Sequence, residues 1–120
     1  MRIRLAIGDA TATATLRGTE TARAFAALLP LTLRMNDLFG REKYGQLPRA
    51  ISAGGGHQFT YEVGEVAYWP PAHDVAIFYA DDGRRTIPRP GIVVIGEIDS
   101  GLDAIASAGG DFPMTIERID

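Results

Sequence analysis

Hydrophobic and polar residues alternate through most of this chain, the period of a half-buried β-strand. Residues 1–7 set Ile3, Leu5 and Ile7 against Arg2 and Arg4. Gly8-Asp9 is a turn signal, and residues 11–16 then alternate threonine with alanine before Leu16. Two such segments around a Gly-Asp turn predict a hairpin. Leu31, Leu33 and Met35 alternate with Thr32, Arg34 and Asn36 and predict a third strand. Residues 59–61, 66–69, 75–79, 92–98 and 113–119 are rich in β-branched and aromatic residues and predict the remaining strands.

The period changes twice. Ala22, Phe25, Ala26 and Leu29 fall at i, i+3, i+4 and i+7, one apolar helical stripe. Thr19 precedes it as an N-cap, Glu20 sits at the positive end, and Pro30 stops it. The spacing predicts a helix of roughly ten residues. A shorter one follows Ser100, which with Asp103 reads as a capping box using Asp in place of Glu or Gln. Leu102, Ile105 and Ala106 give it a brief apolar face, and Gly109-Gly110 end it.

Residues 37–56 read as loop, with Gly40, Gly45, Pro48 and three consecutive glycines at 54–56. No strand–glycine loop–helix order surrounds those glycines, so they read as a turn and not as a phosphate cradle. Closely spaced strands favour a barrel or sandwich over alternating β-α units. No repeat or linker divides the chain, so residues 1–120 are expected to form one domain.

Composition removes several function classes. A net charge of −3 gives no basic footprint, so nucleic acid is not an expected partner. The adjacent pair Arg84-Arg85 reads as a solvated loop. With no cysteine, disulfides, thiol catalysis and thiolate metal sites are excluded. No apolar run approaches the ~20 residues needed to span a bilayer. No signal peptide is read at the N-terminus, and a cytoplasmic location is expected.

The densest chemistry lies at Gly-Glu-Val-Ala-Tyr-Trp-Pro-Pro-Ala-His-Asp, residues 64–74. It holds the only tryptophan, two prolines and one of two histidines. Pro70 and Pro71 lack amide donors and end a strand, and Asp74 opens the return strand. Trp69 either plugs an end of the core or walls a groove together with His73, Phe78 and Tyr79. Lys43 and Tyr44 would form the facing wall; alternatively Asp37 or Glu42 pairs with Lys43 or Arg41 at the surface. Asp81-Asp82-Gly83 reads as a turn. His57 and His73 form no metal-binding pattern, and Ser52, Ser100 and Ser107 sit in no nucleophile elbow. Neither a metal nor a cofactor is expected.

Several segments together resemble a known family. These are Leu29-Pro30-Leu31-Thr32-Leu33, Glu42-Lys43-Tyr44-Gly45 with Leu47-Pro48, Gly64 to Pro71, Ala76-Ile77-Phe78-Tyr79, and Gly96 to Leu102. In this order they are similar to the small bacterial cyclophilin-like proteins. The resemblance implies a mainly β fold: a closed antiparallel barrel of about eight strands with one longer and one short helix. The family is named for its fold, and its members are largely without an established activity. Well-known cyclophilins isomerise X-Pro bonds with an arginine-bearing strand followed by Gln-Gly-Gly-Asp, and that signature is absent here.

Three functions follow from this reading. The first is a binding domain holding a small apolar or peptide ligand, with Arg34, Lys43, Tyr44, Trp69, His73, Phe78 and Tyr79 as candidate contacts. The second is a divergent peptidyl-prolyl isomerase with Arg34 as the only catalytic candidate. There the arginine would donate to the prolyl nitrogen and lower a barrier of about 18–20 kcal/mol. The third is a structural or partner-binding module.

Overall fold

The computed structural model describes residues 1–120 as a closed barrel of eight antiparallel strands. These are β1 (Arg2–Ile7), β2 (Ala10–Leu16), β3 (Leu31–Leu38), β4 (Glu42–Gln46), β5 (Glu65–Trp69), β6 (Asp74–Phe78), β7 (Val93–Ser100) and β8 (Phe112–Arg118). Around the barrel they run β1-β2-β7-β5-β6-β4-β3-β8, and β8 pairs back onto β1. Closure leaves no exposed strand edge. Two helices accompany the strands, α1 (Glu20–Ala26) and α2 (Leu102–Ala106). Neither is long and apolar enough to cross a membrane.

Period-two alternation fills the barrel. Ile3, Leu5, Ala12, Ala14, Leu33, Met35, Val66, Tyr68, Val75, Ile77, Ile95 and Met114 point inward into one cluster. The antiparallel β2–β7 pairing sends α1 and α2 to opposite ends, where Phe25 and Ile105 enter the same cluster. As expected, the Thr19 side chain caps α1, accepting from the Ala22 N–H. The helix is seven residues, shorter than its stripe. At α2 the expected capping box is absent: Gly101 is the N-cap and makes no side-chain cap bond. Ser100 remains in β7 and bonds Thr13 across the sheet at 2.7 Å. Gly101 lies at φ +85°, and a Cβ there would meet the Thr11 carbonyl oxygen at 2.6 Å. The close approach of β2 therefore requires glycine at that corner.

The eight strands differ from the expected set at one point. Residues 59–61 form no strand of the barrel, only isolated bridges Gln58–Ile92 and Thr60–Thr86. The missing member is β4, within a segment expected to be loop. Its inward positions are Lys43 and Gly45, which carry no hydrophobic signal. Gly45 lies where a Cβ would fall 2.6 Å from the Met35 sulfur.

A second apolar layer lies outside the barrel. On β5 and β6 the outward residues Ala67, Ala76 and Phe78 are as buried as the inward ones. Tyr61, Ile87 and Ile92 cover them from the connecting segments. Tyr61 stacks on Phe78 with ring centroids 4.2 Å apart, and its hydroxyl donates to the Ala80 carbonyl at 2.7 Å. Asp81-Asp82-Gly83 forms the expected turn: Asp82 Oδ1 accepts from the backbone N–H groups of Arg84 and Arg85.

Lys43 is 2% exposed inside one end of the barrel. Its Nζ donates to Asp37 Oδ1 at 3.0 Å and to the Gly109 carbonyl at 2.5 Å. It also lies 5.0 Å from the Tyr79 ring centroid and 5.8 Å from that of Phe112. The Tyr79 hydroxyl donates to the same Asp37 oxygen. That bond leads the effects holding the Asp37 carboxyl below its usual range, with Lys43 and the Gly40 N–H adding to it. Burial, then the Asp37 bond, pushes the Tyr79 phenol up to about 12. The pairing of Lys43 with Asp37 matches expectation, but it is internal and not superficial.

Two measurements follow. Asp37→Ala strands a buried ammonium and is expected to lower stability by about 3 kcal/mol in urea unfolding, whereas Lys43→Met stays within about 1 kcal/mol of the parent. Equal losses would show that the pair itself stabilises the barrel. The Asp82 carboxyl is held at about 2, below its ordinary 3.8, by the N–H groups of Arg85 and Arg84 and then by Arg41. A depressed carboxyl stabilises the fold above its unfolded value, and the contribution is lost as pH falls towards 2. Protection of the Arg84 and Arg85 amides from hydrogen exchange should decline across that window, and Asp82→Asn should remove the dependence.

Candidate functional site

The outer face of β4, β6 and β5 carries a groove of about 330 Å³. The pairing places Tyr44 opposite Ala76 and Trp69 opposite Asp74, all facing outward. Ala76 is the low point of this floor, between the larger Tyr44 and Trp69. Ile87, Pro88 and Ile92 line one side, and Leu38 and Phe39, at the tip of the β3–β4 hairpin, line another. The volume lies at the lower end of the range for small-molecule sites.

Phe39 is 82% exposed and sits at φ +60°. The turn closes through Gly40, at φ +62°, with the Arg41 N–H donating to the Leu38 carbonyl at 3.1 Å. Left-handed backbone disfavours a bulky residue. No packing contact in the core requires a phenylalanine here.

Three acidic or basic side chains line the groove: Arg41, Glu42 and Asp74. The Arg41 guanidinium reaches Glu42 at 2.5 Å, Asp82 at 3.1 Å and the Thr86 carbonyl at 3.2 Å. It also lies over the Tyr61 ring, 5.1 Å from the centroid. Burial raises the Glu42 carboxyl, and Arg41 opposes that. Burial raises Asp74 too, opposed only by His73. Asp74 has no ion pair within the chain, and no buried side-chain polar atom lacks a partner. Its carboxylate is therefore open to solvent in the groove.

The candidates named from sequence fall into separate places. Tyr44 and Trp69 line the groove together. Phe78 is fully buried beneath the outer layer. Lys43 and Tyr79 belong to the ionic cluster inside the barrel end, because adjacent strand residues face opposite ways. Lys43 and Tyr44 therefore form no common wall. His73 closes the single 3-10 turn Pro70–Ala72 in left-handed conformation, φ +42°, and does not line the groove. Arg34 projects from β3, is two-thirds exposed and pairs with Asp111 at 3.3 Å, away from the groove lining. Phe39, Arg41, Glu42 and Asp74 were not among those candidates. Phe-Gly at a hairpin tip is the one signal that marked Phe39, and it is visible only once β4 is known to be a strand.

Comparison with known proteins agrees with this architecture. The hypothetical protein AF2241 from Archaeoglobus fulgidus, known from a solution structure, superposes with a TM-score of 0.81 at 25% identity. That match covers 99% of this chain and 95% of the other. McbB, solved in complex with tryptophan, superposes with a TM-score of 0.69 at 15% identity, over 97% of this chain and 44% of McbB. The second likeness is one of fold. No curated protein shows a significant match. Residues 5–117 match the model of the Cyclophilin-like family, and the chain belongs to that family.

Proposed function

We propose that the chain is a binding domain that holds a small, largely apolar ligand, or the apolar side chain of a peptide, in the outer groove. Phe39 carries this reading. A solvated phenylalanine in left-handed backbone costs about 1 kcal/mol with no compensating burial. Asparagine would occupy the same turn with less strain. A phenylalanine at the lip of an aromatic concavity is accounted for by contact with an occupant. Trp69 and Tyr44 add flat apolar area, and Trp69 Nε1 has no partner within the chain and is free to donate.

The same geometry favours binding over isomerisation. Arg34 is outside the groove, and Arg41 engages its three guanidinium nitrogens with Glu42, Asp82 and Thr86. Neither presents an uncommitted guanidinium to a prolyl nitrogen in the groove.

Trp69 is the only tryptophan, so its fluorescence reports occupancy directly. Titration with a panel of small neutral and charged aromatic molecules and proline-containing peptides should yield saturable shifts. Phe39→Asn should weaken those ligands roughly three- to tenfold, the worth of one aromatic contact, and leave thermal stability equal or slightly higher. A panel without any effect on Trp69 would remove the groove reading. So would unchanged affinity in the variant.

A further inference from the structure

The charges lining the groove do not balance. Arg41 is neutralised by Glu42 and held further by Asp82, with the Arg41 and Glu42 side chains both nearly buried. Asp74 is left over. Its cross-strand neighbours are Trp69 on β5 and Gln46 on β4. Gln46 donates its amide to the Ala72 carbonyl at 3.3 Å, not to Asp74. The imidazole of His73, next in the chain, is the only side chain that opposes the effect of burial on Asp74. An aromatic wall thus stands beside a carboxylate that the fold pairs with no arginine or lysine.

That combination matches one ligand chemistry. Aromatic faces attract cations through their quadrupole, most strongly for tryptophan, and a neighbouring carboxylate supplies the opposite charge. A partly desolvated carboxylate gains most from a cation that excludes further water. The groove volume suits one small molecule.

Building on the groove reading, we propose that its occupant is a small organic ammonium ion: an apolar body against Trp69, Tyr44 and Phe39, with its cationic nitrogen at Asp74. Neutral molecules of the same shape fill the same space but leave the carboxylate unpaired. Anions are repelled by it.

The test compares benzyltrimethylammonium with its uncharged isostere neopentylbenzene and with phenylacetate, read by Trp69 fluorescence on the full chain. The ammonium is expected to bind about tenfold more tightly than the isostere, and phenylacetate least of all. Asp74→Asn should remove that preference and leave the isostere's affinity within about twofold. Gln46→Lys, which places a resident cation across the strand from Asp74 at an exposed position, should also remove it. This second variant keeps the test decisive if Asp74→Asn fails to fold. Equal binding of ammonium and isostere by the parent, or a preference that survives both substitutions, overturns the proposal and leaves the groove reading standing. Silence of Trp69 towards all three probes overturns both.

Discussion

The outer face of β5 and β6 has to be covered, and the rest of the site follows from that. Strands in a closed barrel ordinarily bury one face and show the other to water. Here Val66, Tyr68, Val75 and Ile77 fill the interior, while Ala67, Ala76 and Phe78 present an equally apolar exterior. Leaving a phenylalanine of this kind in water forgoes roughly 2–3 kcal/mol. The connections therefore fold back over the barrel, with Tyr61 stacked on Phe78 and Ile87 and Ile92 beside it. Arg41 ties this cover to the β3–β4 hairpin through Asp82 and the Thr86 carbonyl. The cover stops short of the half-buried Tyr44 and Trp69, and the strip beside them is the groove.

The same two-sidedness explains what the sequence disclosed. β1, β2, β3, β5 and β6 were legible because their inward residues are plain hydrophobes set off by period two. β4 was not, because an interior built from Lys43 and Gly45 mimics a loop. Residues 59–61 were read as a strand for the opposite reason: Tyr61 is a true core residue, but of the outer layer, reached by a connection that makes only isolated bridges. Ser100 and Asp103 have the composition of a capping box without its geometry, since β7 extends through Ser100. Of the residues that line the groove, Trp69 and Tyr44 stood out in the sequence as aromatics near a diproline corner. Phe39 and Asp74 did not, because their meaning depends on what lies across the barrel wall from them.

Lys43 shows why residue type alone does not place a side chain. A lysine beside Tyr44 in a polar stretch reads as a groove residue. Alternation turns it inward, where Asp37, the Gly109 carbonyl and two aromatic rings satisfy it. Asp37 joins the β3 end to Tyr79, and Gly109 belongs to the turn after α2. One ammonium thus links four segments at the barrel end that α2 closes. A hydrocarbon could fill that volume, but it would not bond the Gly109 carbonyl or fix the Asp37 rotamer beneath the β3–β4 hairpin. That hairpin carries Phe39, and Asp37 Oδ2 also accepts from the Gly40 N–H at 2.9 Å, so the internal ion pair is bonded to the turn at one lip of the external groove.

The groove also owes its depth to a residue with almost no side chain. Across the outer sheet the order is Tyr44, Ala76, Ala67, with Trp69 diagonal to Ala76. Had a residue as large as Phe78 stood at position 76, the outer layer would have been continuous and the cover would have rested on a convex surface. Small residues at 67 and 76 let Tyr61 and Ile92 descend onto the barrel on one side and leave the concavity on the other. Packing and site are therefore not separable on this face. The alanines that admit the cover also leave the concavity beside it, and Asp74, with no arginine or lysine partner, lines that concavity.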